Sequence, residues 1–185
     1  DPHRLVVAVN ELIKLYDWRG VSADGVETRH SIYVFAEEVD ILRQARTAFV
    51  EALKQRQRND IASDIELPED GTEMFTGGMK DEKITEIILK GRVLFSTYGY
   101  ASTGLSILKM SAIMFLTPRK AGMKQAVARI LRRGSDISIP RIVVDIVDTK
   151  TALRYQVGER KLSYDFYGCK LEELKVKFTD IKLVG

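Results

Sequence analysis

Four short runs limit what this chain can fold into: SIYVFA at 31–36, RVLFST at 92–97, AIMFLT at 112–117 and RIVVDIV at 141–147. Each is apolar at consecutive rather than alternate positions and rich in β-branched or aromatic residues. A strand with that pattern has to be buried on both faces. Between the runs the period lengthens. Val39, Leu42, Ala45, Phe49 and Leu53 fall on one stripe at helical spacing, with Arg43, Arg46, Glu51 and Lys54 largely elsewhere, which predicts a long helix over 37–57. Leu5, Val6, Val9, Leu12, Ile13 and Tyr16 do the same for a leading helix over 3–18. A short strand TEMFT at 72–76, the helix DEKITEIILKG stopped by Gly91 and a helix over 121–133 continue the alternation. A helix over TKTALRYQVGERKLSYDFYG and a strand-like LKVKFT at 174–179 end it.

Continuous apolar strands alternating with amphipathic helices read as βαβ units, and so as an open, mostly parallel α/β sheet with helices on both faces. At 185 residues the chain is expected to be a single domain. Residues 1–20 form the leading helix, WRGVSADGVETRH a loop, and residues 56–73, with the acidic stretch DIASDIELPEDGTE, an exposed insertion. The chain opens abruptly in helical periodicity, so it reads as part of something longer.

Composition excludes several chemistries. One cysteine, Cys169, cannot form an internal disulfide, and two distant histidines, His3 and His30, cannot complete a zinc site with it. A Ser-His-Asp or Cys-His mechanism has little to build on, and no metal site is expected. The weakly polar stretch 96–117 is interrupted by Gly99, Gly104 and Lys109, so no membrane span is expected. No phosphate-binding G-x-x-x-x-G-K-[ST] occurs, and no G-x-G-x-x-G follows a strand. Asp145 and Asp148 lie in too apolar a strand for a magnesium cluster, and Asp145 reads as a strand-end or buried polar residue with a hydrogen-bonded partner.

In open parallel sheets ligands sit beyond the carboxyl ends of the strands. Here those ends run into AEE, GGMK, YGYASTGLSI and PRKAG. The net charge is only +3, but Thr117 to Ser135 holds six basic residues and no acid. On a continuous helix Arg129 and Arg132 lie within about 60° of each other and flank Gln125, while Met123, Val127, Ile130 and Leu131 face the sheet. Two guanidinium groups a turn apart can clamp a phosphate in a planar way that lysines cannot. A basic helix face is also an ordinary solvated surface. STYGYASTGLSI, with Gly99, Gly104 and interleaved hydroxyls, and FTGGMK, with Gly77 and Gly78, are further candidates for phosphate oxygens.

In this order the pieces resemble the second RecA-like domain of superfamily 2 helicases, in a form similar to helicases of large DNA viruses and phages. SIYVFAEEVDIL resembles motif IV and FTGGMKDEK the glycine-containing loop after it. LFSTYGYASTGLSI resembles motif V, and QAVARILRR resembles motif VI, whose family form is Q-x-x-G-R-x-x-R. The resemblance spans roughly residues 30 to 170. It implies that Arg129 and Arg132 are arginine fingers reaching the γ-phosphate of ATP, held with Mg²⁺ mainly by an upstream RecA-like domain. Gln125 would couple nucleotide to the domain interface, with Gly104 and Ser106 near the nucleotide. It implies nucleic-acid contacts, to DNA or RNA, from Thr97, Tyr98, Gly77, Gly78, Lys80, Phe35 and Glu37. Two departures stand: Ala128 replaces the motif VI glycine, and Thr103 and Ser106 replace motif V acids.

The function implied is half of an ATP-dependent helicase or translocase, inactive without its partner domain, in viral transcription, replication or repair. Such a protein would work in the host cytoplasm or in the virion. The alternatives are a duplex translocase without unwinding and a catalytically silent RecA-like interaction module.

Overall fold

The computed structural model describes residues 2–59, 71–101, 107–117, 119 and 122–177. Helix α1 (Pro2–Asp17) leads into a small hairpin of β1 (Arg19–Val21) and β2 (Glu27–Arg29). Then follow β3 (Ser31–Ala36), α2 (Val39–Asn59), β4 (Thr72–Phe75), α3 (Asp81–Lys90), β5 (Val93–Thr97) and the one-turn α4 (Tyr98–Ala101). After these come β6 (Met110–Phe115), α5 (Met123–Ala128), β7 (Ile142–Asp145), a 3₁₀ turn (Ala152–Tyr155) and α6 (Gln156–Phe166).

Strands β4-β5-β3-β6-β7, in that order, form a five-stranded sheet in which every pairing is parallel. The apolar runs are the sheet, and β3 is its centre, paired with β5 on one side and β6 on the other. Its alternate residues serve two cores. Ile32, Val34 and Ala36 join Phe95 and Met114 beneath α1 and α2, whose Leu12, Ile13, Leu42, Phe49 and Leu53 cover that face. Tyr33 and Phe35 join Leu94, Ile113 and Phe115 on the other face, beneath Ile87 of α3, Met123 and Val127 of α5 and Tyr164 of α6. Burial on both sides explains why these strands read as continuous apolar runs.

Four expectations need correction. The segment 18–30 is not simply a loop. It folds back as β1 and β2, which pair Arg19 with Arg29 and Val21 with Glu27 around a turn at Gly25, φ +79°. The signal was the pair Asp24-Gly25, a hairpin turn dipeptide. Residues 174–177 of the supposed last strand have no regular structure and are exposed. The expected helix over 149–168 begins as a 3₁₀ turn and becomes α-helical only at Gln156.

Gly91 ends α3, but not through a left-handed cap. Its φ is −68°, open to any residue. Glycine is required because a Cβ there would lie 2.3 Å from Leu94 Cδ2 and 2.6 Å from the Ile87 carbonyl oxygen. Trp18 covers the amino edge of the sheet, stacked on His30 at 4.1 Å between ring centres. The acidic stretch 60–70 lies outside the described residues.

Candidate functional site

At the carboxyl edge, β3 and β5 end in register, Ala36 beside Thr97, and β6 ends next to β3 with Phe35 beside Phe115. Thr117 ties these ends together. Its hydroxyl oxygen accepts the Glu37 amide at 2.9 Å, and its carbonyl accepts the Tyr98 hydroxyl at 2.7 Å. Arg119 lies 4.9 Å from the Tyr98 ring centre, a cation–π contact over the same junction. Beside it, Gly78 turns the chain at φ +83° and Lys80 stands at the N-cap of α3. Glu37, Gly77, Gly78 and Lys80 are exposed and Thr97 is half-buried, so these residues share one accessible rim.

Two residues expected on that rim are core residues instead. Phe35 is fully buried, and Tyr98 is 5% exposed, with ring centres 5.7 Å from Phe35 and 6.0 Å from Phe115. Burial pushes the Tyr98 hydroxyl well above the ordinary tyrosine range. Neither ring can stack on a base; contact at these positions would have to come from the backbone. The cause is strand alternation: Phe35 points into the face that α3, α5 and α6 cover, and the first turn of α4 folds Tyr98 into the same core. Gly104 and Ser106 lie outside the described residues.

The basic segment departs from its expected position and length. Helix α5, capped by Gly122 at φ +81°, starts at Met123 near the carboxyl edge and stops at Ala128. The amides of Arg129, Ile130 and Leu131 bond to the carbonyls three residues back, at Ala126, Val127 and Ala128. That 3₁₀-type winding turns side chains by about 120° per residue instead of 100°. Met123, Val127 and Ile130 reach the core as expected, but Leu131 rotates out to 42% exposure. Because α5 returns from the end of β6 towards the start of β7, the arginines lie away from the carboxyl rim. Arg141, the residue before β7, donates to the carbonyl of Ile130 at 2.7 Å, which fixes that end of the segment at the amino edge.

The structure brings Arg129 and Arg132 together. Arg129 is 9% exposed; burial lowers its pKa, and the neighbouring Arg132 charge lowers it further. Both act on Tyr33 of β3, whose hydroxyl burial pushes up to about 12 against the pull of the two guanidinium groups. Gln125, by contrast, is exposed on α5, so it does not share the sheltered position of Arg129.

A second polar centre was only half legible. Asp145, at the end of β7, accepts the Tyr164 hydroxyl at 2.8 Å and ion-pairs with Arg160 Nε at 2.8 Å. Burial raises its pKa while Arg160 and Tyr164 oppose the shift. The expectation of a hydrogen-bonded partner for Asp145 is met, but Arg160, 1% exposed, was not anticipated from the sequence. Arg4 of α1 was also missed. It ion-pairs with Asp148 and donates to the carbonyls of Leu116 and Ile146, clipping the leading helix onto the ends of β6 and β7. Among the described residues no group of acids, histidines and cysteines could hold a metal ion.

The parallel five-stranded sheet between two helical layers defines a RecA-like fold. Its sequence relatives are viral. The chain is 31% identical over 176 residues to the African swine fever virus protein named "Putative ATP-dependent RNA helicase QP509L", a match covering 91% of this chain. The same protein from another strain of that virus is 30% identical over 176 residues. The chain spans about a third of the length of these relatives, 33% in both cases. No protein-family model matches.

Among solved structures, the C-terminal part of the Fun30 ATPase domain matches with a TM-score of 0.53 and 11% identity, over 87% of this chain and 47% of that one. Dbp5 of S. cerevisiae bound to RNA and ADP BeF3 gives 0.53 and 13%, over 89% of this chain and 36% of that one. T4 UvsW gives 0.53 and 16%, over 89% and 32% respectively. At such identities these likenesses establish the fold.

Proposed function

We propose that this chain is the C-terminal RecA-like half of an ATP-dependent nucleic-acid helicase or translocase. The observation that carries the reading is the relationship to the viral protein along 91% of the chain. The pairing of Arg129 and Arg132 supports the role assigned to them.

This chain offers an anion two guanidinium groups but has no G-x-x-x-x-G-K-[ST] sequence, so it suits the outer face of a triphosphate rather than its main binding site. ATP with Mg²⁺, bound chiefly by a partner RecA-like domain, supplies the phosphoryl chemistry. Arg129 and Arg132 meet the charge that accumulates on the transferred group, and Gln125 lies where the partner domain closes. In other nucleotide hydrolases an arginine so placed is worth about 10³ to 10⁵ in rate. The carboxyl rim holds the nucleic acid. Lys80 and the exposed backbone at Gly77 and Gly78 serve phosphate oxygens, with exposed Glu37 beside them, so binding is independent of sequence and weakens with salt. We place the complete protein in viral transcription, a reading compatible with the RNA-helicase name of the viral relatives.

The test is nucleic-acid-stimulated ATP hydrolysis by the complete protein, wild type against Arg132→Ala, with Arg129→Ala as the partner variant. Arg132 comes first because it is half-buried, and its removal disturbs the core less than loss of Arg129. A fall in turnover of about 100-fold or more with nucleotide binding retained supports the reading. Unchanged turnover in both variants rejects the arginine role. Nucleic-acid binding with no hydrolysis by the wild type would favour the silent interaction module.

A further inference from the structure

The backbone from Ile130 to Pro140 carries Arg132 and has no regular secondary structure. One side chain organises it from within. Arg141 donates from Nε to the Ile130 carbonyl at 2.7 Å, from Nη2 to the Asp136 carbonyl at 2.7 Å and from Nη1 to the Ile139 carbonyl at 2.5 Å. A single planar guanidinium thus gathers three carbonyls from across the segment. The remaining polar groups are tied as well. The Ser135 hydroxyl donates to the Arg132 carbonyl at 2.6 Å, directly beneath the arginine. The Asp136 carboxylate accepts the Ser138 amide at 2.9 Å and the Ser138 hydroxyl at 2.6 Å. It also accepts the Ala23 amide at 3.1 Å, from the turn joining β1 to β2.

Among the described residues, the hydrogen bonds of the side chain at 141 all go to backbone carbonyls. Its effect is therefore on where Arg132 sits. We propose that Arg141 is a positioning residue for the arginine pair, holding the path of residues 130–139 so that Arg132 stays beside Arg129, with the β1–β2 hairpin bracing the same path from outside through Asp136. This rests on the reading that Arg129 and Arg132 act on a bound triphosphate. A lysine keeps the charge at 141 but cannot present donors in the planar fork that reaches three carbonyls at once. The carbonyls it abandons would turn to water, and Arg132 would move with them. Misplacement of a reacting group by about 1 Å can cost on the order of 100-fold in rate.

The experiment is a double-mutant cycle in the complete protein: Arg141→Lys, Arg132→Ala and both together, with ATP turnover, nucleotide KM and thermal midpoint recorded for each. Amide exchange over residues 131–139 is followed in the same proteins. Arg141→Lys should lower kcat by about 10- to 100-fold, change KM by less than about threefold, and speed exchange in the segment. Added to Arg132→Ala it should cost nothing further, because the residue through which it acts is gone. Equal losses in both backgrounds, or full turnover despite faster exchange, overturn the proposal. Full turnover in Arg132→Ala and Arg129→Ala rejects the arginine reading itself. A crippled Arg132→Ala beside an unimpaired Arg141→Lys rejects the positioning role alone. If Arg141→Lys does not fold, Asp136→Ala loosens the same segment from the hairpin side, and the same non-additivity is required of it.

Discussion

His30 makes the stability of this domain depend on pH in a direction that can be worked out from its surroundings. The ring is fully buried, stacked under Trp18, with Nδ1 2.8 Å from the Ser111 hydroxyl. Burial is the main cause, and the charges of Arg141 and Arg92 add to it, in bringing its pKa from 6.5 down to about 4. The folded ring therefore stays neutral where the unfolded one takes up a proton. Above pH 6.5 both states are neutral and nothing is lost. As pH falls from there to about 4 the unfolded state binds the proton first, and stability drops. At 1.36 kcal/mol per pH unit the full loss is about 3 kcal/mol, with about 2 kcal/mol of it gone by pH 5. The perturbation is His30→Asn, which offers an oxygen to Ser111 and does not titrate. Urea unfolding of wild type and variant at several pH values between 7.5 and 4 gives two curves. The variant starts lower, having lost the Trp18 stack, but the gap should close or reverse by about 3 kcal/mol towards acid. Carboxylates titrate equally in both and cancel. Parallel curves, within about 0.5 kcal/mol across the range, would refute the argument that His30 is held neutral.

Two other substitutions follow from packing. Arg160→Met leaves the Asp145 carboxylate buried with only Tyr164 to answer it, and should cost about 3–5 kcal/mol in urea unfolding; adding Asp145→Asn should restore a large part. Gly91→Ala drives a methyl group into the Ile87 carbonyl and the Leu94 side chain, for about 1–3 kcal/mol in chemical denaturation. Gly78→Ala, which meets open space, pays only for its left-handed backbone, about 1–2 kcal/mol.

Most of the fold could be read from residues alone. Burial on both faces removes the polar alternation from β3, β5 and β6, and that absence is local and visible. Helical stripes on α1 and α2 are visible for the same reason: the periodicity of a chain is a property of neighbouring residues. The pairing of Arg129 with Arg132 was legible too, because both lie within one turn of each other. Tertiary structure decided what depends on residues far apart. Strand alternation alone could not say that α4 would turn Tyr98 into the core that Phe35 already occupies. Nothing near Asp145 announced that Arg160 would reach it from α6, or that Arg4 would clip α1 to two strand ends. The sequence named the arginines; the course of α5 back across the sheet, and the three carbonyls gathered by Arg141, decided where they stand. Local periodicity is written into consecutive residues, whereas the partner of a buried charge is set by which elements the folded sheet brings side by side.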